Sequence, residues 1–283
     1  SHDATAKNIM TVGAVNDAVS GTNRFLTGAS MTSFSSWGPV DDGRIKPDIV
    51  ANGATLYSSS SFSDGAYGTL SGTSMASPSA AGSALLVVQH FARTFPGQAI
   101  LSSMLKALLI HTTDDLGRPG PDYTYGWGLI DTQAAVQQIS SHAYDTNAMR
   151  LVQGHLSAAT PTNQFSFIWD MNSPIRATLC WTDPPGEAKT GLDNRESVLI
   201  NDLDLRIVHS NGTVYEPFVL DVNVPSADAT TGDNNLDTVE QVYIAAPTLA
   251  GRYDVHVGVD GVVVQAGQTF SRYHPVEGVC GTL

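Results

Sequence analysis

A serine hydroxyl becomes a useful nucleophile only where a neighbour removes its proton and donors stabilise the oxyanion that its attack creates. One stretch of the sequence is suited to stabilising that oxyanion. It runs Gly68-Thr69-Leu70-Ser71-Gly72-Thr73-Ser74-Met75-Ala76-Ser77-Pro78 and continues in small and apolar residues as far as Arg93. Gly72 lets the chain turn tightly, and a helix starting just after Ser74 would aim unpaired N–H groups and its positive dipole end at the serine oxygen. Ala80, Ala81, Gly82, Ala84 and Leu85 come at close helical spacing and predict a helix that is buried and tightly packed. Taken alone, a serine at a helix start is also a common cap.

The string Gly72-Thr73-Ser74-Met75-Ala76-Ser77-Pro78 resembles the nucleophile signature of subtilisin-like serine proteases, the subtilases of peptidase family S8. Serine hydrolases of the α/β-hydrolase type need glycine two residues after the nucleophile, where this chain has Ala76. Phe34-Ser35-Ser36-Trp37-Gly38-Pro39 and Arg44 to Gly53 resemble segments that precede the serine motif in subtilases. Tyr125 to Asp131, leading into Ala134-Ala135-Val136, resembles the close of their catalytic domain. At Asn52 the family usually has Pro, and Asn tolerates left-handed geometry that Pro does not.

The resemblance implies a polypeptide substrate hydrolysed through an acyl-enzyme on Ser74, with Ser71, Gly72 and Thr73 binding substrate and the Ser74 N–H giving one oxyanion hydrogen bond. It also implies that the family's catalytic Asp, His and oxyanion Asn precede the region aligned with Ile9 to Val15. Residues 1–283 are therefore expected to be inactive alone and to associate with the missing N-terminal part of the catalytic domain or with themselves. The histidines are 2, 90, 111, 142, 155, 209, 256 and 274, none in a family-like His-Gly-Thr-His setting. His90 and His111 lie toward helix ends, where a cap or surface role is the simpler reading. A non-catalytic binding protein that keeps the serine motif as a structural turn is the alternative function.

Acids outnumber bases 27 to 14, a formal charge of −13 that repels nucleic-acid phosphate and anionic membrane surfaces, so neither is expected as a partner. Of the acids, 22 are Asp and 5 are Glu, and Asp suits turns and calcium loops in a secreted, extracellular protein. No apolar run approaches the roughly twenty residues of a membrane span, the longest lying near Ala84 to Val88. Ser1-His2-Asp3 reads as the middle of a fold rather than a signal segment. Cys180 and Cys280 lack metal-type spacing and are either one disulfide tying the C-terminal tail to a strand or two buried thiols.

These elements predict an α/β fold, the C-terminal part of a subtilisin-like parallel-sheet domain over residues 1–147, followed by an all-β jelly roll or sandwich over 148–283. Ile9 to Val15 reads as a buried parallel strand, and apolar residues at 101, 104, 105, 108 and 109 give a helical rhythm. Beyond 148 the texture is alternating, and strands are expected over Gln164 to Trp169, Arg176 to Trp181, Asp202 to Val208, Val239 to Ile244 and Arg252 to Val259. Asn211-Gly212 marks a hairpin and, with Thr213, an acceptor sequon. The Asp202 to Ile207 strand with that turn is similar to the β-domain after the catalytic domain in kexin-like convertases and certain bacterial alkaline subtilases. Asp202 and Asp204 share a strand face, and Asp233, Asn235 and Asp237 form a second oxygen-rich cluster. Together these residues are the candidate ligands of a structural calcium ion, with a solvated polar surface as the alternative.

Overall fold

The computed structural model describes residues 2–169, 173–264 and 267–273. Its first half is built on two parallel strands, β1 (Val12–Val15) and β4 (Ile49–Asn52), paired with Val12 opposite Ile49 and Val15 opposite Asn52. Ala14, Val15, Ile49, Val50 and Ala51 are buried, as a strand covered on both faces requires. A small hairpin, β2 (Val19–Ser20) and β3 (Asn23–Arg24), lies between them. A larger one, β5 (Leu56–Ser59) and β6 (Tyr67–Leu70), leads into the helices α1 (Thr73–Thr94), α2 (Ser102–His111) and α3 (Thr132–Tyr144). Asp131 caps α3 by accepting the Ala134 N–H at 2.8 Å.

α1 packs closely on one side and leaves the other uncovered. Ala76, Ala80, Val87 and Phe91 face the core, but Ala81, Gly82, Leu85 and Leu86 lie on a more open face. Small residues at helical spacing mark the side that packs closely without showing that every side is covered. In contrast, α2 is buried on nearly all sides, polar Ser103, Lys106 and His111 included, because α1, the second half of the chain and the β1 approach surround it.

The second half contains β7 (Leu151–Leu156), β8 (Asn163–Trp169), β9 (Ile175–Trp181), β10 (Asp202–His209) and β11 (Val214–Tyr215). After these come β12 (Phe218–Val219), β13 (Thr230–Thr231), β14 (Val239–Ile244), β15 (Gly251–Asp260) and β16 (Gln268–Tyr273). Eight of these strands make two four-stranded antiparallel sheets, in the orders β11-β10-β15-β8 and β14-β9-β16-β7. One face of each sheet is apolar, and Leu203, Leu205 and Ile207 from β10 meet Leu179, Trp181 and Phe270 in a shared core. Each such side chain taken out of water contributes about 1.5–3 kcal/mol. The Asn211-Gly212 turn joins β10 to β11 with Val208 opposite Val214, as the hairpin signal predicts.

No packing gap marks residue 148. Leu151, Cys180, Val239 and Tyr273 share one apolar cluster with Leu108, Leu109 and Ala80. Polar ties cross as well, among them the Lys7–Asp183 ion pair at 2.6 Å, the Ile45 N–H donated to Asp237 at 3.0 Å, and Arg176 donating to the His111 carbonyl at 2.8 Å. Cys180 is buried and its thiol is pushed up to about 12, chiefly by that burial. Cys280, its candidate disulfide partner, lies outside the described residues.

The deepest polar feature is a carboxylate between two ammonium groups. Asp48, 4% exposed, accepts the Lys46 ammonium at 2.5 Å, the Lys106 ammonium at 2.8 Å and the Thr11 N–H at 2.7 Å. Burial opposes its ionisation, but the two lysines outweigh that and hold the carboxyl below its usual range. A depressed folded pKa contributes stability above the unfolded value of about 3.9, lost as pH falls through the folded one. Asp48→Ala leaves two buried cations facing each other and should cost about 3–5 kcal/mol. Chemical denaturation measures this, and a loss under about 1 kcal/mol would show that the cluster is not structural.

Candidate active site

The serine turn hangs from β4. The Gly72 N–H donates to the Gly53 carbonyl at 2.7 Å, one residue past the strand's end. At Gly53 a β-carbon would meet those of Ala14 at 2.6 Å and Ala76 at 3.1 Å, so a bare α-carbon is what lets α1 approach β1. Gly72 sits at φ 156° and ψ 161°, a region essentially closed to other residues. Its carbonyl accepts the N–H groups of Met75 and Ala76 at 3.0 and 3.3 Å. The Ser74 N–H has no main-chain acceptor among the described residues, at the positive end of a 22-residue helix.

Ser74 is exposed, and its hydroxyl bonds no described group. Beside it opens a cleft of about 810 Å³ lined by Leu56, Tyr57, Phe62, Leu70, Ser74 and Met75 along with polar residues of the hairpin. The Ser71 hydroxyl is already engaged, accepting the Thr55 N–H at 2.8 Å. That bond holds Thr55 in the left-handed region at φ 59°. Asn52 is the last residue of β4, and its side-chain oxygen accepts the Ala54 N–H at 3.0 Å.

Each histidine with a described side chain is placed away from the serine. His90 shares a hydrogen bond with the Ser140 hydroxyl at 2.9 Å, His111 with Thr178 at 2.9 Å, and His155 with Thr269 at 3.3 Å. His209 lies 3.2 Å from the Ala250 carbonyl, and His142 packs on the Phe95 ring. His256 sits in β15 opposite Arg206 and Gln164. The side chain of His2 and all of His274 lie outside the described residues. The two helix-end histidines thus bond hydroxyls of elements distant in the chain, and His111 is buried rather than at the surface.

Only part of the expected acidic set converges. Asp204 and Asp233 come together on Arg206, whose guanidinium reaches them at 3.2 and 2.7 Å and also pairs with Glu216. Asp202, on the same face as Asp204, has a buried carboxylate oxygen with no partner among the described residues. Glu240, which carries no signal in the sequence, is fully buried; one oxygen accepts the Leu205 N–H and the other has no described partner. Burial, reinforced by the neighbouring acids, pushes Asp202 up to about 7. Burial and the Asp233 carboxyl push Asp204 up to about 6, and Glu240 is well above the carboxylate range because it is buried. Asp237 lies apart from them, accepting from Ile45 and from Asn234, while Asn235 is exposed.

The site is thus a serine at a helix N-terminus, presented to a cleft by an α/β framework. Residues 1–128 match the sequence profile of the subtilase family, Peptidase_S8, and this part of the chain is subtilase-like. It is 28% identical over 209 residues to the serine protease/ABC transporter B family protein tagA of Dictyostelium discoideum, covering 62% of this chain and 11% of that one. It is 31% identical over 140 residues to the PII-type proteinase of Lactococcus lactis subsp. cremoris, covering 42% of this chain and 7% of that one. Both relatives are many times longer than this chain. Among solved structures, fervidolysin from Fervidobacterium pennivorans aligns with a TM-score of 0.35 and 17% identity, covering 84% of this chain and 27% of that one.

Subtilases commonly bind calcium. The acid cluster does not fit the ion as expected, because Arg206 supplies the positive charge between Asp204 and Asp233. Among the described residues no three His, Cys, Asp or Glu side chains form a metal-binding group. Asp237 and Asn235 do not join Asp202 and Asp204 around one ion, since the loop turns Asp237 toward Ile45. The cluster has a different signature. An acid whose folded pKa is raised binds its proton more readily when folded, so stability rises as pH falls from above the folded value toward the unfolded one. Thermal melts should show stability gained between about pH 8 and 5. Asp202→Asn should flatten that gain by about 1–2 kcal/mol, after allowing for partial exposure of the group. An unchanged slope in the variant would remove Asp202 from the account.

Proposed function

We propose that Ser74 is the nucleophile of a secreted subtilisin-like endopeptidase, and that residues 1–283 are the nucleophile-bearing portion of it. The observation that carries this reading is the exposed Ser74 hydroxyl at the start of α1, beside an N–H with no main-chain acceptor and at the mouth of a cleft. Attack by the Ser74 oxygen on a peptide carbonyl would form the tetrahedral intermediate, its oxyanion receiving the Ser74 N–H under the favourable helix dipole. Collapse would expel the amine and leave an acyl-enzyme for water to hydrolyse. Ser71, Gly72 and Thr73 would contribute main-chain contacts to the substrate, since the Ser71 side chain is committed to Thr55.

The base that accepts the Ser74 proton is then supplied from outside residues 1–283, a reading supported by the separate partners of the described histidines. We divide the chain at about residue 148 into a catalytic portion and a jelly-roll-like β-domain; the two four-stranded sheets support that division. Secretion fits the acidic, Asp-rich composition, and no helix among the described residues is long and apolar enough to cross a membrane. The second reading, a binding protein that keeps the serine turn as scaffold, draws on the same lack of a described histidine partner for Ser74.

In the natural full-length protein, a fluorophosphonate probe should label Ser74, and Ser74→Ala should abolish both labelling and peptide hydrolysis. Labelling that survives in the variant would sink the assignment, while no labelling in the wild type would favour the binding protein.

Residues 1–283 on their own should not hydrolyse casein at a protease-like rate. Without its base the serine stays protonated, and loss of triad function leaves roughly 10³ to 10⁴-fold catalysis over water even where the oxyanion hole survives intact. Robust Ser74-dependent cleavage by the isolated chain would show that one of its own histidines is the base.

A further inference from the structure

The hairpin beside Ser74 carries side chains that folding alone does not explain. Tyr57 is 72% exposed, Phe62 94%, Tyr67 62% and Leu70 62%, in a chain whose charge is strongly acidic. The two tyrosine rings stack across the hairpin with centroids 5.6 Å apart and planes 21° apart. Tyr57 lies opposite Thr69 and Tyr67 opposite Ser59, so the rings are diagonal neighbours on one face of the β5–β6 ribbon. A stacked pair is a flat, rigid surface whose side-chain entropy is already largely lost, and such a surface gains most from a further apolar group laid against it.

This aromatic surface is continuous with the cleft. The same groove is lined by Ser74 and Met75 and by Leu70, Tyr57 and Phe62. We propose that Tyr57, Tyr67 and Phe62 form an accessory binding surface for the polypeptide substrate, selecting an aromatic or large aliphatic side chain away from the scissile bond. The inference rests on the protease reading and adds to it a substrate preference. An extended peptide advances about 3.3 Å per residue, as does the β6 strand it would follow from Leu70 to Tyr67. The selected side chain therefore lies roughly three to four residues from the bond that Ser74 attacks. The occupant is a polypeptide because the hairpin and the nucleophile line one groove.

The test uses the natural full-length protein with two sets of fluorogenic peptides. Long ones carry Phe or Leu, or else Gly, at each position up to about five residues on either side of the cleaved bond, a span that covers the hairpin at the extended rise. Short ones end within about two residues of that bond and so fall short of the tyrosines. The variants are Tyr57→Ser with Tyr67→Ser and, separately, Phe62→Ser. Phe62 is almost wholly exposed, so its replacement leaves the fold in place, and a thermal melt checks this for both variants. The wild type should favour Phe or Leu at one distal position by about tenfold in kcat/KM, the scale of one apolar contact. The variants should lose most of that preference, and kcat/KM should fall more on long peptides than on short ones. Equal losses on short and long peptides, or a distal preference that survives both variants, would overturn the accessory surface and leave the protease standing. A wild type without any Ser74-dependent turnover would overturn the protease reading and the surface with it.

Discussion

Asp48 joins three parts of the chain that would otherwise have little reason to meet. Its carboxylate holds the Thr11 N–H at the start of β1, Lys46 two residues before it in its own segment, and Lys106 in the middle of α2. The Ile9 carbonyl accepts from both ammonium groups, so neither lysine is left with the carboxylate alone. In a dry interior such a group is stable only when complete, because each charge carries a desolvation cost that its partners must offset. Completeness is also positional: Ile49 to Asn52 follow directly, and Gly53 then receives the Gly72 N–H that sets up the serine turn. The nucleophile is therefore suspended, through one strand and one glycine, from a buried ionic anchor.

The β-sheets of the second half reinforce that anchor. Asp237 takes the Ile45 N–H immediately before Lys46, Asp183 takes Lys7, and Thr238 donates to the Lys7 carbonyl. The β9 and β16 strands pack on α2, the helix that carries Lys106. A cluster of this kind transmits displacement, since close-packed interiors do not yield locally. The β-sheets are thus part of the support of the serine turn, although they contribute no group to its cleft.

The acidic face of β10 illustrates how the same residue types take a different role once their neighbours are known. Asp202 and Asp204 do share a face, and Asp233 does approach Asp204. Arg206, two residues along the same face, then occupies the centre of the group and bonds Asp204, Asp233 and Glu216. Asp202 and Glu240, which Arg206 does not bond, are pushed toward the protonated form chiefly by burial, and burial with the Asp233 carboxyl does the same to Asp204.

Local features of the chain are legible without coordinates. Helical rhythm marks α2, alternation marks β10, β14 and β15, Asn211-Gly212 marks the hairpin, and the glycine-flanked serine marks the start of α1. All of these depend on backbone geometry within a few residues. The strands β7 and β16 carry no such mark: Leu151–Leu156 contains a glycine and alternates poorly, and Gln268–Tyr273 mixes polar and aromatic residues, so each is a strand because β16 pairs with both β7 and β9. The open face of α1, the partners of the histidines, Arg206 at the centre of the acids and the stacked tyrosines are likewise decided by tertiary structure. Periodicity records which side of an element can be buried, whereas what meets that side is settled by contacts between residues far apart in the chain, and those leave no local trace in the sequence.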